Sequence, residues 1–370
     1  MTGSGIATVA RQEFRLRIRA GRWKLLLVLW FALLALFTAL ARLAVGTVEG
    51  LTDRGTGVYG ALALVVLGLS LLVVPSLAAQ SVNGDRERGT LAALQVTRLS
   101  PAEITLGKFA AAWGTALVFL GLTIPLALYA ATQGGVPLGR LVVVTLVLAL
   151  LLGAVCAISL WLSSALSRTT TSGLLAYLAV ALLTIGTLVA FGLVTAVTQE
   201  EYEQTYENLV CDPESGAAYG YEGPGTPVPE GCTVSTESYT ATRARPDRTW
   251  WLLAPNPFVV LADAAPALPL DAPGLSEREQ EQRARARDLD PLGQIGNQVR
   301  ALRREVVPLE QYVGMQDGSV PYVDESELPT KRVWPYGLAF DVALGVLALH
   351  LTTRRLRTPT RTLPKGQRVA

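Results

Sequence analysis

The chain has 370 residues, of which 50% are hydrophobic and 17% charged, with a mean hydropathy of +0.36 and a formal net charge of +2. A soluble domain is about one quarter charged, so this composition excludes an ordinary soluble globular protein and points to a membrane class. The near-neutral total hides basic ends around an acidic middle, a pattern that speaks to membrane sidedness and not to a nucleic-acid partner.

Residues 1–24 carry Arg11, Arg15, Arg17, Arg19, Arg22 and Lys24 against Glu13 alone. At about 100° per residue, Arg11, Arg15, Arg19 and Arg22 share one helical face, with Ile6, Val9, Ala10, Phe14 and Leu16 broadly opposite. This spacing predicts an amphipathic helix in the membrane interface, where each arginine contributes about 1 kcal/mol against anionic lipid. The alternation in "FRLRIR" also fits a short strand locally, and an ordinary basic flank accounts for the charges without their spacing.

A transmembrane helix needs about 20 predominantly apolar residues. Residues 25–45, 58–79, 110–131, 141–165 and 173–197 meet this plainly, and 334–352 is just long enough. The first run is too long for a cleaved signal peptide and lacks a convincing cleavage site. The fold class is therefore an all-α polytopic membrane protein with six spans. Lys and Arg in short loops set orientation. The N-terminal segment, the 80–109 loop (Arg86, Arg88, Arg98, Lys108), the Arg168 loop and the basic 353–370 tail share one side. Arg54 and Arg140 lie in the opposite short loops, with Arg42 near a span end. Both termini are expected in the cytoplasm of a multi-pass plasma-membrane protein, bacterial by its character.

The loop at 84–109, "GDRERGTLAALQVTRLSPAEITLGKF", places Asp85, Arg86, Glu87 and Arg88 in a row between two spans. Gly89 and Thr90 interrupt or cap a short segment bearing Leu91 and Leu94. "SPAE" then combines an N-cap at Ser100, proline at the first helical position and Glu103 at the third. That capping box starts a helix that runs past Lys108 into the third span. A solvated linker has no need of Leu91, Leu94, Val96 and Leu99. They suit a docking surface for a protein partner or a structural elbow, and the residues themselves leave both open.

Residues 198–333 form a large segment expected on the extracytoplasmic side. Residues 198–334 hold 23 acidic against 12 basic side chains, a net of −11. Stretches such as "EGPGTPVPEG" read as irregular, with polar helices expected near 277–287 and 295–304. The strip at 249–270, "TWWLLAPNPFVVLADAAPALPL", carries Pro255, Pro257, Asp263, Pro266 and Pro269, which disfavour a lipid-exposed helix. It reads as an interfacial or re-entrant segment with Trp250 and Trp251 at headgroup depth; the alternative is a buried strip of a small external domain. Cys156 lies inside an apolar run as a small hydrophobe. Cys211 and Cys232, in the polar segment, form a disulfide worth about 3 kcal/mol if that side is oxidising, or else stay as two free thiols. Asp341, in the last span, has either a translocation or helix-packing role, with Ala339, Ala343 and Gly345 marking a close contact, or a blander position near the external interface where it meets water. The second reading is the one favoured.

Enzyme chemistry has little to stand on. His350 is the only histidine, and no HExxH, CxxC or GxSxG occurs. No GxxxxGK[ST] occurs either, so there is no phosphate-cradling loop. No catalytic residue, metal or directly bound cofactor is expected.

The loop resembles that of ATP-binding-cassette (ABC) type-2 transporter permeases: a charged cluster, Gly-Thr-Leu, a Thr/Ser-x-Leu-Ser element and a helix with Gly-Lys. Glu87, Arg88, Gly89, Thr90, Leu91, Thr97, Leu99, Ser100, Glu103, Ile104, Gly107 and Lys108 match, while Arg98 stands where proline is frequent. The six-span plan, the basic amphipathic helix and the Asn256-Pro257-Phe258 element are similar to the same family; the external segment is longer than usual for it. The resemblance implies a permease subunit of an exporter that pairs with a second permease as a homodimer or heterodimer within membrane lipid. It implies a partner ABC ATPase carrying ATP and Mg, docked through a coupling helix in the loop. Contact with that partner falls to Asp85, Arg86, Glu87, Arg88, Gly89, Thr90, Leu91, Leu94, Leu99, Ser100 and Glu103. The alternative is a polytopic sensor or envelope-assembly factor whose external domain binds a ligand or a protein. A secondary transporter fits less well, because the spans hold almost no ionisable groups.

Overall fold

A computed structural model of the chain describes residues 2–19, 21–47, 53–90, 99–211, 232–266, 276–304 and 332–357. Among the described residues, six helices are long and apolar enough to cross a membrane: Trp23–Gly46, Gly55–Glu87, Pro101–Thr132, Leu138–Ala165, Thr169–Val197 and Trp334–Arg355. They match the six apolar runs of the sequence and make the chain an all-α multi-pass membrane protein. The first span begins and the sixth ends on one side, here termed the basic side for Arg11, Arg15, Arg19, Arg354 and Arg355.

The spans extend beyond their apolar stretches where local chemistry permits. The third begins at Pro101 because Ser100 Oγ accepts the Glu103 amide at 3.3 Å while the Glu103 carboxylate accepts the Ser100 amide at 2.8 Å. The second continues through a tightened turn into Asn83–Glu87 and stops at Gly89, whose φ of +72° suits glycine and terminates the helix. The fifth contains a π-turn at Leu182–Gly186.

The fourth span is the centre of the bundle, packed against the second, third and sixth. Gly345 lets the sixth come close: a Cβ there would stand 3.2 Å from Ala154 Cα. Trp23 and Trp30 of the first span meet Phe119 of the third edge-on, with centroids 5.5 and 5.1 Å apart. The fifth span buries only 6% of its most apolar window, against 61% for the fourth.

The N-terminal helix, Gly3–Arg19, lies along the start of the third-span helix. Its contacts follow the row Gly5, Val9, Glu13 and Arg17, with Val9 against Gly107. Such an i, i+4 row drifts about 40° around the helix at each step. Leu16, expected on the apolar face, falls off the row at the level of Arg17 and is 62% exposed. Helix, not strand, is the state of "FRLRIR".

On the far side the described residues include two strands for which the sequence carried no expectation. Gln199–Cys211 (β1) and Cys232–Ala244 (β2) form an antiparallel ribbon, with Cys211 opposite Cys232 and Cys232 disulfide-bonded. Residues 212–231, with the whole of "EGPGTPVPEG", lie outside the described residues. The polar helix Glu277–Asp288 starts where expected; the next, Pro291–Ala301, starts four residues earlier than 295, because Asp290 and Pro291 supply a cap position and a first-turn proline. The 249–270 strip divides. Trp250–Leu252 is a 3-10 turn with Trp251 58% exposed, whereas Pro257–Ala264 is a short helix buried by protein against the fourth and sixth spans and helix 291–301. Residues 267–270 lie outside the described residues.

Candidate partner-docking face

The basic side gathers the ends of five helices around residues 79–90. Val82, Ile104, Leu160 and Leu356 form a small apolar cluster there. Polar bonds then fix the end of the second span to the turn between the fourth and fifth. Ser163 Oγ accepts the amides of Val82 and Asn83, each at 3.1 Å, and Ser172 Oγ donates to Ala79 O at 2.8 Å. Arg86 Nη1 donates to Leu166 O at 2.9 Å, taking a terminal carbonyl of the fourth span. Glu87 Oε1 accepts the Thr169 amide at 3.2 Å at the start of the fifth, where a carboxylate also suits the helix dipole.

Lys108 is the hub beneath this platform. Its ammonium is fully buried, bonds the carboxylates of Glu13 and Asp85, and donates to Ser81 O at 3.1 Å. Asp85 also accepts Arg88 Nη2 at 2.9 Å. One cation therefore joins the N-terminal helix, the second span and the third. Arg17 adds a second tie, donating to Thr115 Oγ1 at 3.2 Å and Leu77 O at 3.1 Å. Burial pulls its guanidinium below the usual arginine range, and the charge of Glu13 opposes this.

These bonds sort the residues expected at the partner contact. Glu87, Arg88, Gly89 and Thr90 stand exposed at the tip, and Thr90 Oγ1 donates back to Asp85 O at 3.3 Å. Arg86 is half-buried under them. Asp85 and Glu103 point inward: Asp85 to Lys108, and Glu103 to Ser100 and to Thr2, whose amide and hydroxyl donate at 2.5 and 2.9 Å. Leu99 and Ser100 are half-buried, with Leu99 close to Gly5 of the N-terminal helix. Leu91 and Leu94 lie outside the described residues, as do Val96, Thr97 and Arg98. Sequence reasoning placed Lys108 in the loop pattern without its role. The signal was a lysine at the mouth of an apolar helix, where it needs carboxylate partners.

Asp341 lies apart from this face, and it does not meet water. It is 3% exposed, and among the described residues neither carboxylate oxygen has a hydrogen-bond partner. It sits one turn from each of Gly337 and Gly345, where the sixth span comes closest to its neighbours, and packing there closes off solvent. Two buried ion pairs on the far side were also unread. Arg140 bonds Asp290, and Asp263 meets Arg300 at 3.2 Å while capping the sixth span through the amides of Val333 at 2.5 Å and Trp334 at 2.8 Å. Burial raises the Asp290 carboxyl above its ordinary range, and Arg140 opposes that rise.

Residues 46–201 match the family model described as ABC-2 family transporter protein. That span runs from the end of the first transmembrane helix through the fifth and includes the described residues 79–90 and 99–103 of this face. No curated protein matches the chain.

Proposed function

We propose, for a chain that belongs to the ABC-2 transporter family through residues 46–201, an export permease that takes its force from a separate ATPase chain at the Glu87–Thr90 tip. It is the membrane-embedded permease subunit of an ABC transporter, and that family's members are not themselves the catalytic subunit. In this reading the basic side is cytoplasmic, consistent with the positive-inside rule. ATP and Mg belong to the partner, a second permease subunit completes the assembly, and transport runs outward across a bacterial plasma membrane.

The observation that carries the reading is the exposed tip bonded at its base to helices on every side. Arg86 holds the fourth span, Glu87 the fifth, and Asp85, through Lys108, the third and the N-terminal helix. A push on residues 87–90 is shared by four helices, and the ionic link through Lys108 to Glu13 and Asp85 is buried and poorly yielding. A closing ATPase pair would move such a platform as one body. Residues 91–98 of the 80–109 coupling loop lie outside the described residues.

The test is co-purification of the chain with an ATPase subunit, and ATPase activity in the complex, for a Glu87→Lys, Leu91→Asp double variant. Loss of the complex, with unchanged circular dichroism and melting of the permease, is expected. An intact complex with normal coupled ATPase activity overturns the proposal.

A further inference from the structure

A cavity of about 600 Å³ opens on the far half of the molecule between the fifth span, the Trp250–Leu252 turn and the start of the sixth span. Gly186 and Ala190, one turn apart on the fifth span, leave the space; Trp250, Trp251, Tyr336 and Phe340 wall it. Tyr336 is 63% and Trp251 58% exposed, so the wall faces the surroundings and not the core. The backbone behind it is satisfied without water. In the π-turn the Thr187 amide reaches back to Leu182 O, Thr187 Oγ1 takes Leu183 O at 3.0 Å, and Asn256 Nδ2 takes Thr184 O at 2.7 Å. The walls that remain are apolar.

The rim is basic. The Arg303 guanidinium lies 4.3 Å over the Trp250 ring, and Arg248, 55% exposed, adjoins Trp251, whose Nε1 donates to Arg248 O at 3.1 Å. Arg248 also reaches Glu200 at 3.5 Å, and Arg303 donates to Arg332 O at 3.3 Å. An apolar slot on a membrane-spanning surface, with tryptophans and arginines at one end, has the amphipathic layout of a phospholipid.

We propose that this cavity holds one acyl chain of an anionic phospholipid, whose phosphate sits at Arg248 and Arg303. The lipid would act as a wedge between the thinly packed fifth span and the sixth, independent of any substrate path.

The test uses the full-length chain, stripped in detergent and titrated by native mass spectrometry with phosphatidylglycerol or phosphatidylcholine of identical chains. Phosphatidylglycerol is expected to bind roughly tenfold more tightly. The Arg248→Gln, Arg303→Gln variant should bind both lipids alike and weakly, and Ala190→Trp, which fills the slot, should bind neither. A second readout guards against misfolding of Ala190→Trp. Phosphatidylglycerol brominated in mid-chain should quench wild-type tryptophan fluorescence in a saturable step, and that step should vanish in Trp250→Phe, Trp251→Phe. Equal binding of the two lipids, unchanged binding to a folded Ala190→Trp variant, or quenching that only rises in proportion to lipid with no saturable step each overturn the proposal.

Discussion

Lys108 concentrates the energetics of the basic side in a single atom. Its ammonium is fully buried between Glu13 and Asp85, which are themselves mostly shielded. Burying such an ion is unfavourable unless its partners remain, and breaking a buried pair from one side costs about 3–5 kcal/mol because the other charge is left behind. Lys108→Met is therefore expected to lower the melting temperature sharply in a thermal-shift assay. The triple variant Lys108→Met, Asp85→Asn, Glu13→Gln removes all three charges and should recover most of the loss. If the single and triple variants melt together, the network contributes nothing as a network. Asp341 is the opposite case, a carboxyl with no partner among the described residues. An unsatisfied buried polar group costs about 1–3 kcal/mol. Asp341→Leu should thus raise stability by a similar amount, read by the same assay. A drop in stability would instead point to a group beyond the described residues that Asp341 serves.

Single elements show where local sequence decides and where it does not. Asn256 does two jobs at one junction: its Oδ1 accepts the Phe258 amide at 2.9 Å to start the Pro257 helix, and its Nδ2 serves Thr184 O of the π-turn. Asn256→Asp keeps the cap and loses the donor, while Asn256→Ala loses both. The alanine variant should cost about 1–2 kcal/mol, the worth of a cap, and the aspartate variant more, because it buries a carboxylate against the Thr184 carbonyl, with amide exchange of residues 182–187 accelerated in both. The base of the ribbon behaves differently because its carboxylates are each paired with arginine. Arg245 first and then Arg243 hold the Glu200 carboxylate below its usual range, and Arg245 does the same for Asp247. Carboxylates depressed in the folded state stabilise it above the ordinary carboxylate range and lose that contribution as pH falls through their folded values. Amide protection at 199–203 and 242–247, taken relative to the intrinsic exchange rate at each pH, should therefore fall below about pH 4 and be flat from pH 5 to 8. A loss of protection on the alkaline side instead would contradict the assignment. The ribbon itself was not legible in the sequence, since its residues do not alternate apolar with polar; Tyr202, Thr205, Tyr206 and Tyr239 carry strand preference without that alternation. The capping box at Ser100 was legible because all its parts lie within four residues.

Across the whole molecule, the six spans were readable because membrane crossing is a one-dimensional property, apolar length, that needs no knowledge of neighbours. What joins the spans was not readable, because the joining residues are far apart in the chain: Glu13 with Lys108, Arg140 with Asp290, Asp263 with Val333. The same long-range bonds make sidedness testable at well-placed positions. Thr90 is exposed at the tip of the basic side, and Thr240 is exposed on the ribbon across the bundle, separated from it by the odd number of spans between residues 90 and 240. In a Cys211→Ser, Cys232→Ser background, where Cys156 stays buried, Thr90→Cys and Thr240→Cys should react with a membrane-impermeant maleimide from opposite faces. In right-side-out vesicles Thr240→Cys should label at once and Thr90→Cys only after permeabilisation. Labelling of both from one face would break the three-span separation, and with it the placement of the docking tip opposite the far-side helices. Reversed labelling would keep the fold and turn the arginine-rich side outward, against the charge rule that orients short loops.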